Sequence, residues 1–383
     1  VSSELVLGID LGTSFSTAAA VVDGRLHFVT DARGEACIPS VVYFPKSGAP
    51  VVGAEAEKQR ASDPENVIFG IKRVIGRAAD SPQGRLLDAV AAFRLKPPPG
   101  GGEAQVQVRG GTHGASEVAA ILLRHLRERA QTKFGPRVGK AVLTVPVTAT
   151  PEVRTAMVKA GKMAGLEVVR IVSEPCAGAV PRAGAAKDPV CVFDFGGGTL
   201  DVTIVQRDGA ALRVRASGGD EVLGGDDLDL AFARWIANGV HRVRGVDVTR
   251  DAVVWDRVQR QCELTKRALS AGNEARYLVR DAFHEAGRPV PLDMTVRRDH
   301  LAPVWKELVE RSVAATVQTL AGAGLGPAQL AGVLCVGGTT YVPQVRAAVQ
   351  AAIPRPCTFE DDPQTAVARG AAMLAANPGL VVD

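Results

Sequence analysis

Closely spaced cysteines are missing from this sequence. The six that occur, Cys37, Cys176, Cys191, Cys262, Cys335 and Cys357, lie far apart. None forms a CxxC or stands near a histidine, which excludes the usual zinc frameworks. Several sit in apolar runs such as PVCVFDF and GVLCVGG and read as reduced core thiols. A reducing, cytoplasmic setting is the expectation. No apolar run of about 18 residues escapes interruption by charge, Gly or Pro, so no membrane span is expected. The N-terminus, VSSELVLGIDLG, lacks a basic segment followed by an apolar one. It also begins without Met, as a processed chain or a piece of a longer one would. No GxxxxGK[ST] occurs, which excludes a P-loop nucleotide site. Charge of one sign is lacking too: 45 Lys and Arg face 41 Asp and Glu, a net of +4. That excess is spread along the chain and argues against a nucleic-acid stripe.

The chain has 383 residues, 46% hydrophobic and 22% charged. Those proportions exclude a disordered or collagen-like chain. The length favours two or three domains or one two-lobed unit. The 34 Arg against 11 Lys carry no functional weight, because coding bias alone would produce such a skew.

The strongest organisational signal is an internal repeat. LVLGIDLGTSFSTAAAVVDGRLHFV near the start matches VCVFDFGGGTLDVTIVQRDGAALRVR in the second half. Each has an apolar strand ending in Asp, a Gly-rich turn, a second apolar strand and an Asp-Gly turn. Asp10 aligns with Asp194, and Gly24 with Gly209. Asp-Gly between alternating strands signals a hairpin. The repeat predicts a duplicated α/β fold, two lobes around a cleft. Helices are predicted over 116–130, with Ser116 as N-cap, and over 151–164, 251–270 and 300–320. The segment 96–111, with KPPPGGG, reads as a loop or the tip of a small subdomain.

Gly removes the Cβ that would keep backbone N–H groups away from phosphate oxygens. Gly12-Thr13-Ser14 and Gly196-Gly197-Gly198-Thr199 follow equivalent strands and could clamp a polyphosphate from both sides. Gly337-Gly338-Thr339 follows a third strand. Such a clamp needs carboxylates for Mg²⁺, which prefers oxygen ligands and keeps several waters. Asp10 and Asp194 are embedded in apolar strands and would be costly there without a partner. Glu174 and Asp201 add two more carboxylates, and for Glu174 a first-turn helix role is a serious rival.

These residues resemble the ATPase domain of the DnaK-type seventy-kilodalton heat-shock chaperones, members of the actin-like (ribonuclease H-like) superfold. The matching stretches are GIDLGTS at 8–14, ENVIFGIKRVIGR at 65–77, AVLTVP at 141–146, AGLEVVRIVSEPCAGA at 164–179, FDFGGGTLDVTI at 193–204, LGGDDLD at 223–229, CELTKRALS at 262–270 and VLCVGGTTYVP at 333–343. They run in the family's order over nearly the whole chain.

The resemblance implies ATP or ADP between the lobes, with phosphates at Gly12, Thr13, Ser14 and at Gly196, Gly197, Gly198, Thr199. Asp10 and Asp194 would hold Mg²⁺ through water, and Asp10 and Asp201 would flank K⁺. Lys72 would reach the γ-phosphate, while Glu174, Thr199 and Asp201 position the attacking water. Glu263, Lys266, Arg267 and Ser270 would line the adenosine pocket, with Gly224, Gly337, Gly338, Tyr341 and Gln364 nearby. Spacings of three, four and seven put the first four on one helix face. Without the resemblance that face would read as a salt-bridged surface. Pro146, Arg154 and Arg170 match positions that relay nucleotide state. The implied division is lobe I over 1–186, with a small subdomain at about 41–115, lobe II over 187–378, with one at about 229–307, and a linker beginning at 379–383. A peptide-binding domain would follow. A J-domain cochaperone and an exchange factor are the implied partners.

Four positions depart from the family's pattern. Tyr341 stands where an Arg commonly packs on adenine. Gln364 replaces a usual acid, and Ala36 a usual base in a loop used by exchange factors. AVLTVPVTAT lacks the aromatic pair that follows this proline. Two other functions compete: a sugar or acetate kinase of the same superfold, and a non-hydrolysing nucleotide-sensing scaffold. Lys72 and the GIKRVIGR stretch argue against the first, and the intact set of Lys72, Glu174 and Thr199 against the second. The tail ANPGLVVD is either a frayed terminus or a linker that docks on lobe II as an added edge strand.

Overall fold

The computed structural model describes residues 4–181, 188–209, 211–285, 287–359 and 362–380. Two sheets share one strand order. In the first, β1 (Leu5–Leu11), β2 (Phe15–Val22) and β3 (Arg25–Phe28) form an antiparallel meander. On the other side of β1, β4 (Val138–Val145) and then β5 (Glu167–Ser173) add in parallel. In the second, β6 (Val190–Phe195), β7 (Leu200–Asp208) and β8 (Ala211–Asp220) repeat the meander. There β9 (Gly332–Val336) and β10 (Cys357–Phe359) add in parallel beyond β6. A short strand, Ile38–Pro39, extends the first sheet alongside β2. The repeat in the sequence is therefore a duplication of a whole sheet, the actin-like α/β architecture.

The first hairpin turn has Asp23 at φ 50° and Gly24 at φ 75°. Two positive φ values in a row make the turn that matches strand twist, which is why Asp-Gly occupies it. In each half the passage from the meander to the parallel strands carries an inserted module. In the first half it holds two small three-stranded sheets. One of them joins Arg94–Lys96, Gln105–Val108 and Gly111–Gly114, so residues 97–104 and 109–110 of the segment read as loop or subdomain tip are the connections of a small sheet. In the second half the hairpin of Glu274–Glu285 and Arg288–Arg297 packs on the helix Ala252–Ala271.

Thr150 caps the helix Pro151–Met163 by accepting from the Val153 N–H. Asp251 caps Ala252–Ala271 by accepting from Val253 and Val254. The helix expected from 300 begins at Arg298 and runs to Gly322. The helix expected from an N-cap at Ser116 runs Ala115–Phe134 instead, with Gly114 at the cap. Glu117 accepts the Gly114 N–H at 3.1 Å, while Ser116 is buried and donates to Glu103 at 2.7 Å.

Each sheet has its own apolar core. A third cluster joins them. It takes Val142 and Val172 from the first sheet and Val192 and Leu334 from the second. Cys176 and Ala177 of the helix Glu174–Ala179 and Val367 and Leu374 of the helix Ala366–Ala376 fill the space between. This joint lies at the floor of the cleft. The expected lobe division at 186/187 falls on residues 182–187, outside the described residues, as do 381–383 of the expected linker.

Candidate active site

Asp10 stands opposite Thr17 in the β1–β2 ladder, and Asp194 opposite Asp201 in β6–β7. The two Gly-rich turns continue from these strands and meet across the cleft. A Cβ on Gly197 would run into the Ser14 hydroxyl, and one on Gly198 would lie 2.6 Å from Thr13 Oγ1. Only glycine permits this approach of one turn to the other. Each turn is fixed from behind. Ser40 Oγ donates to the Gly12 carbonyl at 2.8 Å. The N–H groups of Gly225 and Asp226, at the start of the helix Gly225–Arg244, donate to the carbonyls of Gly196 and Gly197 at 3.0 and 2.9 Å. Thr339 Oγ1 also donates to Gly196, at 2.8 Å. Gly224 packs on the Gly197 backbone, behind the turn and outside the cleft lining.

Between the turns lies a buried ion pair, Lys72 Nζ to Glu174 Oε1 at 2.6 Å, with side chains 11% and 7% exposed. Glu174 is the first residue of a short helix whose capping residue is Ser173, a position where the helix dipole favours a negative charge. Asp201 is buried behind Asp194 and accepts from Thr199 Oγ1 at 3.3 Å. Asp10 accepts from Thr144 Oγ1 at 3.2 Å.

Four carboxylates thus surround one lysine. Burial, reinforced by Asp10, Asp201 and Asp194 and opposed by Lys72, pushes Glu174 up to about 8. Burial and the neighbouring Asp201 and Asp10 push Asp194 up to about 8. Burial raises Asp10 as well, and raises Asp201 to about 6. Lys72 is raised despite its burial, because Glu174, then Asp10 and Asp194, favour its charge. The excess of acid is what a cation would relieve. Among the described residues no three acidic or His/Cys groups converge closely enough to chelate an ion. The donor set therefore fits Mg²⁺ held through its waters and does not fit a dehydrated metal cage.

The cleft holds about 610 Å³ and continues past the turns between the helix Ala252–Ala271 and the segment 337–341. Glu263, Lys266, Arg267 and Ser270 all line it, as their spacing implies. Four cations, Arg260, Arg267, Lys266 and Arg60, overcome burial and hold Glu263 down to about 2. Lys266 Nζ reaches Asp229 at 2.5 Å and the Gly225 carbonyl at 2.8 Å. Arg267 pairs with Glu263 and lies 4.7 Å from the centroid of the Phe15 ring. Gly337, Gly338, Tyr341 and Gln364 form the facing wall.

The three residues expected to relay nucleotide state lie apart. Pro146 borders a small pocket with Thr13, Lys72 and Thr199. Arg154 is local to its own helix start, donating to the Ala149 carbonyl at 3.2 Å. Arg170, on β5, donates to the Leu380 carbonyl at 3.1 Å, and Leu380 packs on the joint cluster.

Residues that sequence reasoning missed cross between the halves. Arg73, next to Lys72, reaches Asp226 at 3.2 Å and the Gly197 carbonyl at 3.4 Å. Asp226 accepts from Ser14 as well, at 3.4 Å. Arg60 pairs with Asp256 at 2.6 Å, and Arg260 with Glu57 at 3.0 Å. Arg346 joins Tyr341 in the cleft wall. Arg73 and Asp226 lie in the very stretches GIKRVIGR and LGGDDLD, which was the available signal; nothing marked Arg346.

A duplicated actin-like fold with Gly-rich turns on both sides of an acidic cleft defines a nucleotide-site architecture. The family model described as Hsp70 protein matches residues 6–377. The chaperone protein DnaK from one strain of Thermus thermophilus is 37% identical over 373 residues, which cover 96% of this chain and 60% of that protein. DnaK from a second strain of the same species is 36% identical over the same shares. This chain therefore belongs to the Hsp70 family, and it spans about 60% of the length of these curated relatives. Members of the family are ATPases that bind ATP and ADP, generally with Mg²⁺. Membership does not favour the kinase reading. Among the described residues no helix is long and apolar enough to cross a membrane.

Proposed function

We propose that this chain binds and hydrolyses ATP as the regulatory domain of a DnaK-type chaperone. The observation that carries the reading is the meeting of two Gly-rich turns over the Lys72–Glu174 pair. Phosphates lie on Gly12, Thr13 and Ser14 on one side and on residues 196–199 on the other. Asp10 and Asp194 would hold Mg²⁺ through its waters, and Asp10 and Asp201 would also face K⁺. Bound there, Mg²⁺ would supply neutralisation of phosphate charge. Against the cost of burial, Glu174 and then Asp10 and Asp194 favour the charged form of Lys72, so its charge is available to the transferring phosphoryl group. Glu174, Thr199 and Asp201 orient the attacking water. Adenosine lies along Glu263, Lys266, Arg267 and Ser270, opposite Gly337, Gly338, Tyr341 and Gln364.

The lobes are taken as 1–186 and 187–378, with small subdomains at about 41–115 and 229–307. Nucleotide state would pass through Pro146, Arg154 and Arg170 to a peptide-binding domain. A J-domain cochaperone would set hydrolysis and an exchange factor would set release. A cytoplasmic location, supported by six cysteines that form no disulfide, belongs to the same proposal. Phosphate release from purified protein with ATP and Mg²⁺, with and without added sugars, tests the reading. Slow release independent of sugar is expected. Release only when a sugar is present would mean a kinase, and none under either condition a scaffold.

A further inference from the structure

Tyr341 leaves the base end of the cleft without the arginine that the resemblance places there. A guanidinium returns five residues later. Arg346 is on the first turn of the helix Pro343–Ala352 and lines the cleft beside Tyr341 and Gln364. Its Nε donates to the Thr340 carbonyl at 2.6 Å. Its guanidinium lies 4.3 Å from the Phe359 ring centroid and 5.7 Å from that of Tyr341. One hydrogen bond and two rings thus hold the group at the end of the cleft. On the opposite wall Arg267 makes the matching arrangement with Phe15. The cleft therefore ends between two guanidinium–aromatic pairs, a geometry suited to a flat π-system.

We infer that Arg346 is a base-recognition residue: a purine packs between Arg267 and the Tyr341 ring, with the Arg346 guanidinium at the edge of that ring. The inference rests on the reading of the cleft as a nucleotide site. A guanidinium is planar, keeps its charge and carries five donors, so it both stacks on π-faces and donates to purine ring nitrogens. The cation at the base end is kept, but is supplied from the helix instead of the turn.

Calorimetry on the full chain tests this with MgADP and with Mg-pyrophosphate, which has no base. Arg346→Gln should raise the ADP Kd about fivefold to tenfold, the scale of a partly desolvated cation–π contact. The pyrophosphate Kd should stay within about twofold, since the turns at 12–14 and 196–199 do not touch Arg346. Adding Tyr341→Arg to Arg346→Gln should bring ADP affinity most of the way back, by restoring a guanidinium at the base. An unchanged ADP Kd in Arg346→Gln would overturn the inference. So would equal losses for ADP and pyrophosphate, which would mean a disturbed 337–341 turn, or a double variant no better than the single one. Failure of the unsubstituted chain to bind ADP would instead remove the nucleotide reading itself.

Discussion

Replacing Lys72 by Ala separates the chemical end of the cleft from its binding end. The lysine is buried, faces Glu174 at 2.6 Å and feels Asp10 and Asp194, so its charge acts only where phosphates would lie. At that distance two unit charges in a protein of effective dielectric about 20 attract by about 6 kcal/mol. Little of this should appear as lost stability. Burial raises Glu174 and Lys72 opposes that rise, so without Lys72 the carboxyl is driven further toward its neutral form and need not remain as an unpaired buried charge. The stability loss should therefore be smaller than the about 3–5 kcal/mol of a broken buried pair whose survivor stays charged. Turnover should fall far more. Removing one preorganised charge aimed at the transition state costs about 10²- to 10³-fold in kcat. ADP, which lacks the γ-phosphate, should bind within about threefold of its normal affinity, as expected for an interaction made only in the transition state. Single-turnover hydrolysis, ADP calorimetry and a denaturant melt measure the three quantities. Turnover above about a tenth of wild type, or an ADP loss as large as the turnover loss, would refute the assigned role.

Three further outcomes follow from the same geometry. Asp194 is raised by burial from 3.8 to about 8, so between those values the folded chain holds a proton that the unfolded chain has lost, and stability falls as pH rises. Asp194→Asn removes that titration, so in the absence of Mg²⁺ and nucleotide the Tm of the variant relative to wild type should climb from pH 5 to pH 8; a constant difference would contradict the buried, protonated carboxyl. Arg60→Ala leaves Asp256 buried and unpaired and should cost about 3–5 kcal/mol, whereas Arg60→Ala with Asp256→Ala should cost less. Denaturant melts in which the double variant is the weaker of the two would show that the pair is not what holds these groups. A chain ending at Pro378 and the variant Arg170→Ala both lose the Arg170–Leu380 bond, so their turnover should shift in the same direction with ADP affinity unchanged. Turnover equal to that of the 383-residue chain in both would make the tail a mere terminus.

The repeat was legible because it is local. Each copy is a strand, a turn and a strand, with Asp10 and Asp194 at matching strand ends and Asp-Gly at the hairpin. The helix face of Glu263, Lys266, Arg267 and Ser270 was legible for the same reason: helical periodicity alone puts the four side chains together. In the segment 96–111 the Pro- and Gly-rich connections were legible, but the strands between them were not, because they are only three or four residues long and pairing partners several residues away decide them. Ser116 misled because Gly114 already supplies the cap geometry and Glu117 satisfies its N–H. The pairings of Arg73, Arg60 and Arg346 with Asp226, Asp256 and Tyr341 were not legible, although Arg73 and Asp226 lie in stretches already singled out. The first two pairings exist only once the halves pack together. The third depends on how the turn after β9 enters the next helix.

The most direct test of the central claim is calorimetry of MgADP binding to wild type and to Gly197→Asp. The substitution places a side chain where the Ser14 hydroxyl now lies and adds a carboxylate where phosphate is expected. Wild type should bind with one site per chain, and the variant, folded by circular dichroism with a cooperative melt, should show no binding. Equal affinity in the two proteins would contradict a nucleotide held between the facing turns.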